Sequence, residues 1–187
     1  MDSANWHWEN GNRQSIGYDI RDELVRRRDV ETMLNLVEHP TDEYQQRMMI
    51  EALYEIDDPR IQKYFERYAS ADITWPMYLC QNYLAERGDV GALKTLNDNY
   101  FKYPTSSAQW ACTVALFGKF NYEPAIPNII ETIDAVSLNL ASASIESLKQ
   151  FYPKEKYPDM APAEEWQEYF RGLQARGHRG SLSSNVE

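Results

Sequence analysis

Arg28-Asp29-Val30-Glu31-Thr32-Met33-Leu34-Asn35-Leu36 is echoed 60 residues later by Gly88-Asp89-Val90-Gly91-Ala92-Leu93-Lys94-Thr95-Leu96. Between them, Asp58-Pro59-Arg60-Ile61-Gln62-Lys63-Tyr64-Phe65 opens a third segment in the same way, and Tyr122-Glu123-Pro124-Ala125-Ile126-Pro127-Asn128-Ile129-Ile130 is a looser fourth. Each strict copy places an Asp, suited to capping a helix N-terminus, before a first-turn residue and an apolar run at helical spacing. A helix start that recurs at a nearly fixed interval is the mark of a stacked repeat.

The segments preceding these starts align as well. Leu24, Leu53, Leu84, Leu116 and Leu148 form one column, at spacings of 29, 31, 32 and 32. Four residues earlier stand Ile20, Met49, Cys80, Cys112 and Ser144. Residues i and i+4 share a helix face, so the two columns predict a recurrent buried edge in which Ser144 is the weak member. The spacing predicts five helical hairpins. First helices are expected over residues 15–28, 42–56, 75–87, 106–119 and 140–151, and second helices over 30–38, 59–71, 89–101 and 124–136. Pro40, Pro76, Pro104 and Pro153 fall at or near the junctions, where proline is tolerated. Val and Ile are sparse and no Asn-Gly joins alternating apolar runs, so strands are not expected.

Composition bounds the class. In 187 residues, 43% are hydrophobic and 13% aromatic, enough for a core and too much for a globally disordered chain. The formal charge is −10 and the isoelectric point about 4.8. That balance argues against a nucleic-acid backbone or an anionic membrane surface as the partner. The start, Met1-Asp2-Ser3-Ala4-Asn5-Trp6-His7-Trp8-Glu9, has no apolar run of secretory type, and no stretch is apolar enough for a span. A soluble cytoplasmic protein is the expectation. Cys80 and Cys112 are too few for a disulfide framework or a zinc knuckle.

Glu51-Ala52-Leu53-Tyr54-Glu55-Ile56-Asp57-Asp58-Pro59-Arg60-Ile61 resembles the core of a HEAT repeat: Ala-Leu, a short turn, Asp-Pro, then an apolar second helix. Ala115-Leu116-Phe117-Gly118-Lys119-Phe120, leading to Pro124-Ala125-Ile126-Pro127, looks like another unit with a longer turn. The short period is similar to the HEAT-like repeats of bilin-lyase-type proteins, and Pro162-Ala163-Glu164-Glu165-Trp166 looks like the acidic helix that closes such arrays. The resemblance covers residues 15–173, with departures at Glu23-Leu24 and Tyr83-Leu84, where Ala-Leu would stand. It implies an all-α fold, a right-handed α-solenoid of about five antiparallel hairpins plus a C-terminal capping helix. Tetratricopeptide repeats are the rival, disfavoured by an irregular period below 34. The expected organisation is an N-terminal flank or cap over 1–14, the repeats over 15–173 and a flexible tail over 174–187. Trp6 and Trp8 in the flank either cover the open edge of the first hairpin or contact a partner.

The sequence is poor in recognisable chemistry. His7, His39 and His178 form no metal-binding pattern, and no phosphate-loop, dinucleotide or nucleophile-elbow segment occurs. Cys80 and Cys112 read as small core hydrophobes, Asp57-Asp58 and Glu164-Glu165 as helix-start acids, and Arg26-Arg27-Arg28 as a solvated helix end. No cofactor and no metal are expected. Tyr64, Phe65, Tyr68, Tyr100, Phe101 and Tyr103 exceed what one buried stripe needs; they serve either an interface or the space between hairpins.

Two functions follow. Stacked hairpins offer a surface of second helices for extended recognition, on which Glu31, Glu38, Tyr64, Glu66, Tyr68, Asp98, Glu131 and Asp134 are the candidate partner-binding residues. The net charge favours another protein with a basic surface as partner. A non-enzymatic immunity protein that neutralises a basic toxin is the most concrete form of that reading, on composition alone. The alternative, implied by the resemblance, is a bilin-lyase-type enzyme or an enzyme subunit handling tetrapyrroles. HEAT-like DNA glycosylases would need a basic cleft that this composition does not offer.

Overall fold

The structure, a computed structural model, describes residues 19–69, 75–102, 106–134, 137–158 and 161–176. Among them every regular element is helical. They are α1 (residues 19–27), α2 (Val30–Glu38), α3 (Glu43–Ile56), α4 (Ile61–Tyr68), α5 (Trp75–Glu86), α6 (Val90–Asp98), α7 (Ser107–Lys119), α8 (Ile126–Glu131), α9 (Leu138–Phe151) and α10 (Ala163–Ala175). Single 3₁₀ turns, Glu123–Ala125 and Thr132–Asp134, flank α8. Where the predicted ends fall among the described residues, the expected helices appear within a few residues of them; the predicted ends at 15, 71 and 136 lie outside the described residues. Helix α10 runs past the predicted start of the tail at 174, and the flank with Trp6 and Trp8 lies outside the described residues.

Two of the three aspartates cap as expected. Asp29 accepts from the Thr32 amide at 3.1 Å and Asp89 from the Ala92 amide at 2.8 Å. Asp58 does not cap α4. Its carboxylate accepts from the amide of Arg60 at 2.9 Å and from the Arg60 guanidinium, and the helix begins after Arg60 with no side-chain cap. Asp57 is no helix start either; it ends α3.

The turns after α1, α3, α5 and α7 share one conformational feature. Arg28, Asp57, Gly88 and Asn121 all take positive φ, at 52°, 51°, 83° and 50°. At Arg28 the amide donates to the Val25 carbonyl and the next amide, Asp29, to Leu24; at Asn121 the same bonds run to Gly118 and, from Tyr122, to Phe117. These are Schellman closures, which satisfy carbonyls left over at a helix end. Asp57 makes the single bond to Leu53 of the simpler left-handed cap. Only Gly88 adopts this conformation without steric cost.

The chain divides into two compact units, Met1–Leu84 and Ala85–Glu187, with the division inside α5. In the first unit α2 packs on α3, and Val30, Met33, Val37, Met49, Ile50, Leu53, Ile61 and Phe65 are buried. Residues 77–85 of α5 are buried nearly all round. Its two buried amides are satisfied: Gln81 donates to the Ala69 carbonyl at 2.5 Å and Asn82 to Tyr78 at 2.9 Å.

In the second unit α7 packs closely on α9. Gly118 makes that approach possible, since a Cβ there would lie 2.6 Å from Ser147 Oγ and 3.0 Å from Ser147 Cα. Trp110, Val114, Phe117, Ile129, Leu148 and Phe170 fill the core. Ser144 is fully buried, and the fold provides for it: its hydroxyl donates to the Leu140 carbonyl at 2.8 Å and pairs with Thr132 Oγ1 at 2.7 Å.

Leu53, Leu84, Leu116 and Leu148 are buried and Leu24 is only half-buried, and the column beside them is broken further. Met49 and Cys80 are buried, but Ile20 is 51% exposed and Cys112 is exposed. In α7 the buried face runs through Trp110, Thr113, Val114 and Phe117, which leaves Leu116 at its margin and turns Cys112 outward. The expectation that both cysteines are core residues is therefore corrected for Cys112.

Candidate functional site

The candidate acids lie on α2, α4, α6 and α8 and at their ends, and the structure ties most of them to cations of the same chain. Glu31 on α2 faces Arg60 at 3.5 Å, and Glu38, at the other end of α2, pairs with Arg67 of α4 at 3.1 Å. Both pairs span 29 residues, so α2 and α4 run side by side in one direction. Glu66, on the same α4, accepts from the neutral amide of Gln62 at 3.0 Å. Tyr64 is half-buried, and the Tyr68 side chain lies outside the described residues.

The second unit repeats the arrangement with other chemistry. Asn128 of α8 donates to Asn97 Oδ1 of α6 at 2.8 Å. Gln167 of α10 donates to the Ile130 carbonyl at 3.2 Å, and Arg171 of α10 pairs with Glu131 at 2.7 Å. Asp98 pairs with Lys94 within α6, and Asp134 is exposed in the 3₁₀ turn after α8. The structure thus brings Glu31, Glu38 and Glu66 together on one helix pair. It places Asp98, Glu131 and Asp134 on the α6 and α8 side of the other unit.

Pairing changes what these acids offer. Glu31 keeps 82% of its side chain exposed and Glu131 68%, so both remain reachable, but a partner's cation must share them with Arg60 and Arg171. Glu66 and Asp134 carry the least compensated charge. Elsewhere the arginines hold their carboxylates ionised. Hydrogen bonds from Arg26 and Arg27 lower Glu23 to about 2, and Arg60 does the same for Asp58. Arg28, the third of that basic run, reaches over to the Ile56 carbonyl at 3.1 Å.

The aromatic excess resolves into two clusters and one exposed ring. Tyr83 packs edge-on against Tyr54 and Phe65, with ring centres 5.4 and 4.4 Å apart, inside the first unit. Tyr100 packs against Trp110 at 4.8 Å, and its hydroxyl lies 3.4 Å from Thr132 Oγ1. Phe101, held at φ 59°, is half-exposed above Trp110. Tyr103 lies outside the described residues. A third aromatic group was not legible as a site: Tyr157, Trp166 and Tyr169 gather around the end of α9, and Lys149 lies over two of these rings. The sequence signal was a lysine in a last helical turn followed by spaced aromatics, which no motif distinguishes from core.

Nucleophile chemistry has little to draw on. Burial pushes the Cys80 thiol up to about 12, where it stays protonated, and Cys112 stands on the surface of α7. His39 is exposed, with a ring nitrogen 3.4 Å from the Asn35 carbonyl; His7 and His178 lie outside the described residues. Among the described residues no three His, Cys, Asp or Glu side chains could jointly hold a metal ion, and no helix is long and apolar enough to cross a membrane. No known family, curated protein or solved structure matches the chain.

Proposed function

We propose that the hairpins are HEAT-like repeats, that each unit is a segment of right-handed α-solenoid, and that the chain is a non-enzymatic binder of another protein with a basic surface. An immunity protein neutralising a basic toxin is its most concrete form. The observation that carries the reading is the side-by-side second helices: α2 with α4 through Glu31–Arg60 and Glu38–Arg67, and α8 with its neighbours through Asn97, Gln167 and Arg171. In the first unit, helices that run side by side and are bridged near both ends by ion pairs make a ridge whose exposed charges keep a regular spacing, which is what recognition of an extended surface needs. In the first unit Glu66 and in the second Asp134 contribute most, because among the described residues their charge is least shared.

Affinity capture with the full chain from its source cells, read by mass spectrometry, tests this. The expected result is a basic protein that is retained at low salt and released as salt rises. A captured partner that is acidic, or that Glu66→Lys and Asp134→Lys together leave equally well bound, would overturn the assignment.

A further inference from the structure

The last turn of α9 and the start of α10 hold an ammonium group. Lys149 Nζ lies 5.6 Å from the ring centre of Tyr157, 5.4 Å from that of Trp166 and 2.7 Å from Glu146 Oε1. The rings are fixed in place. The single hydroxyl proton of Tyr157 is shared between the Tyr152 carbonyl and the Lys149 carbonyl, the latter at 3.1 Å, Trp166 stacks on Phe170 at 5.6 Å, and Tyr169 packs edge-on against Trp166. Two sources of negative potential meet here: a carboxylate and two π faces. Such a notch favours a cation whichever molecule supplies it.

Its present occupant is loosely kept. The Lys149 side chain is half-buried, 31% exposed, but its partner Glu146 is 67% exposed, so the ion pair is partly solvated and worth little on its own. We propose that this notch is a cation-binding subsite plugged by Lys149, and that a lysine side chain of a basic protein partner displaces the plug. Lysine is specified because the occupant is a compact ammonium, and the chain's overall charge of −10 favours a basic partner, although residues 136–187 themselves carry 7 acids against 6 bases. The inference rests on the reading of the chain as a binder of a basic protein, and adds a subsite apart from the candidate acids.

The test uses the full chain, with the Trp166 indole N–H as reporter, assigned through Trp166→Phe. Wild type, Lys149→Ala and the charge-matched control Lys154→Ala are titrated with tetramethylammonium chloride at constant ionic strength. Lys149→Ala is expected to saturate at a concentration at least about tenfold lower than the other two, and neutral tert-butyl alcohol to leave the indole unmoved. Equal midpoints in all three proteins, or an equal response to the alcohol, would overturn the proposal. If circular dichroism shows Lys149→Ala unfolded, Lys149→Ser carries the same expectation. A decalysine peptide must also shift Trp166 in the wild type, and its silence would count against the notch. A captured basic partner whose affinity Lys149→Ala leaves unchanged overturns the notch alone. Cation binding at Trp166 without any basic partner upholds the notch and overturns the wider function.

Discussion

The hydroxyl of Tyr83, on a side chain that is 1% exposed, donates to Oδ1 of Asp57 at 3.1 Å. Asp57 closes α3 in the left-handed conformation, so a core tyrosine of α5 fixes the turn between α3 and α4. Tyr83→Phe removes the donor and keeps the ring's edge contacts with Tyr54 and Phe65. It should cost about 1–2 kcal/mol, the range for a hydrogen bond to a partly exposed charged group. Urea unfolding checks this, and an unchanged midpoint would mean the bond does not hold the turn.

The recurrent positive φ gives a prediction of opposite signs at equivalent positions. Asn121→Gly relieves a left-handed non-glycine residue and should stabilise by about 1 kcal/mol. Gly88→Ala introduces the same strain and brings a Cβ to 3.2 Å from Phe120 Cε1, so it should destabilise by about 1–2 kcal/mol. Thermal unfolding of the two variants should shift in opposite directions.

Thiol chemistry separates the two cysteines. With the Cys80 thiol buried and Cys112 exposed, a disulfide reagent at pH 8 should titrate one thiol quickly in the native protein and the second only in denaturant. Cys112→Ser should abolish the fast phase. A fast phase that survives this substitution would contradict the placement of Cys80.

Acid sensitivity follows from Asp58, whose carboxylate falls from 3.8 to about 2 through hydrogen bonds from the side chain and backbone of Arg60. A depressed pKa contributes stability that is present above the unfolded value and lost as pH falls through the folded one. The contribution should therefore fade between about pH 4 and 2, and be small because the Arg60 guanidinium is more than half exposed. Arg60→Gln should be slightly less stable than wild type at neutral pH, with the gap closing below about pH 2. A gap that persists at the lowest pH would assign the loss to packing instead.

What the sequence made legible was local. Asp29 and Asp89 announced their helices because a cap is a contact between residues three apart, and the leucine column announced buried faces because helical periodicity is intrinsic to the chain. What escaped depended on rotation and on contacts distant in sequence. Cys112 sits four residues before Leu116, yet α7 turns its buried face toward Trp110 and Thr113, so repeat equivalence did not carry burial with it. Asp58 looked like a third cap but was claimed by Arg60, whose long side chain folds back on it. The candidate acids were readable as surface charge, whereas their pairing with Arg60, Arg67 and Arg171 joins residues 29 to 40 apart. The notch at Lys149 was invisible for the same reason, since α10 supplies Trp166.

The central claim, that the exposed acids of the second helices recognise a basic protein, is tested most directly by calorimetry against the captured partner as a function of salt. Glu66→Lys with Asp134→Lys, confirmed as folded by circular dichroism, should bind at least about tenfold more weakly at low salt and show a shallower salt dependence than wild type. Equal affinity and equal salt dependence in the two proteins would contradict the claim.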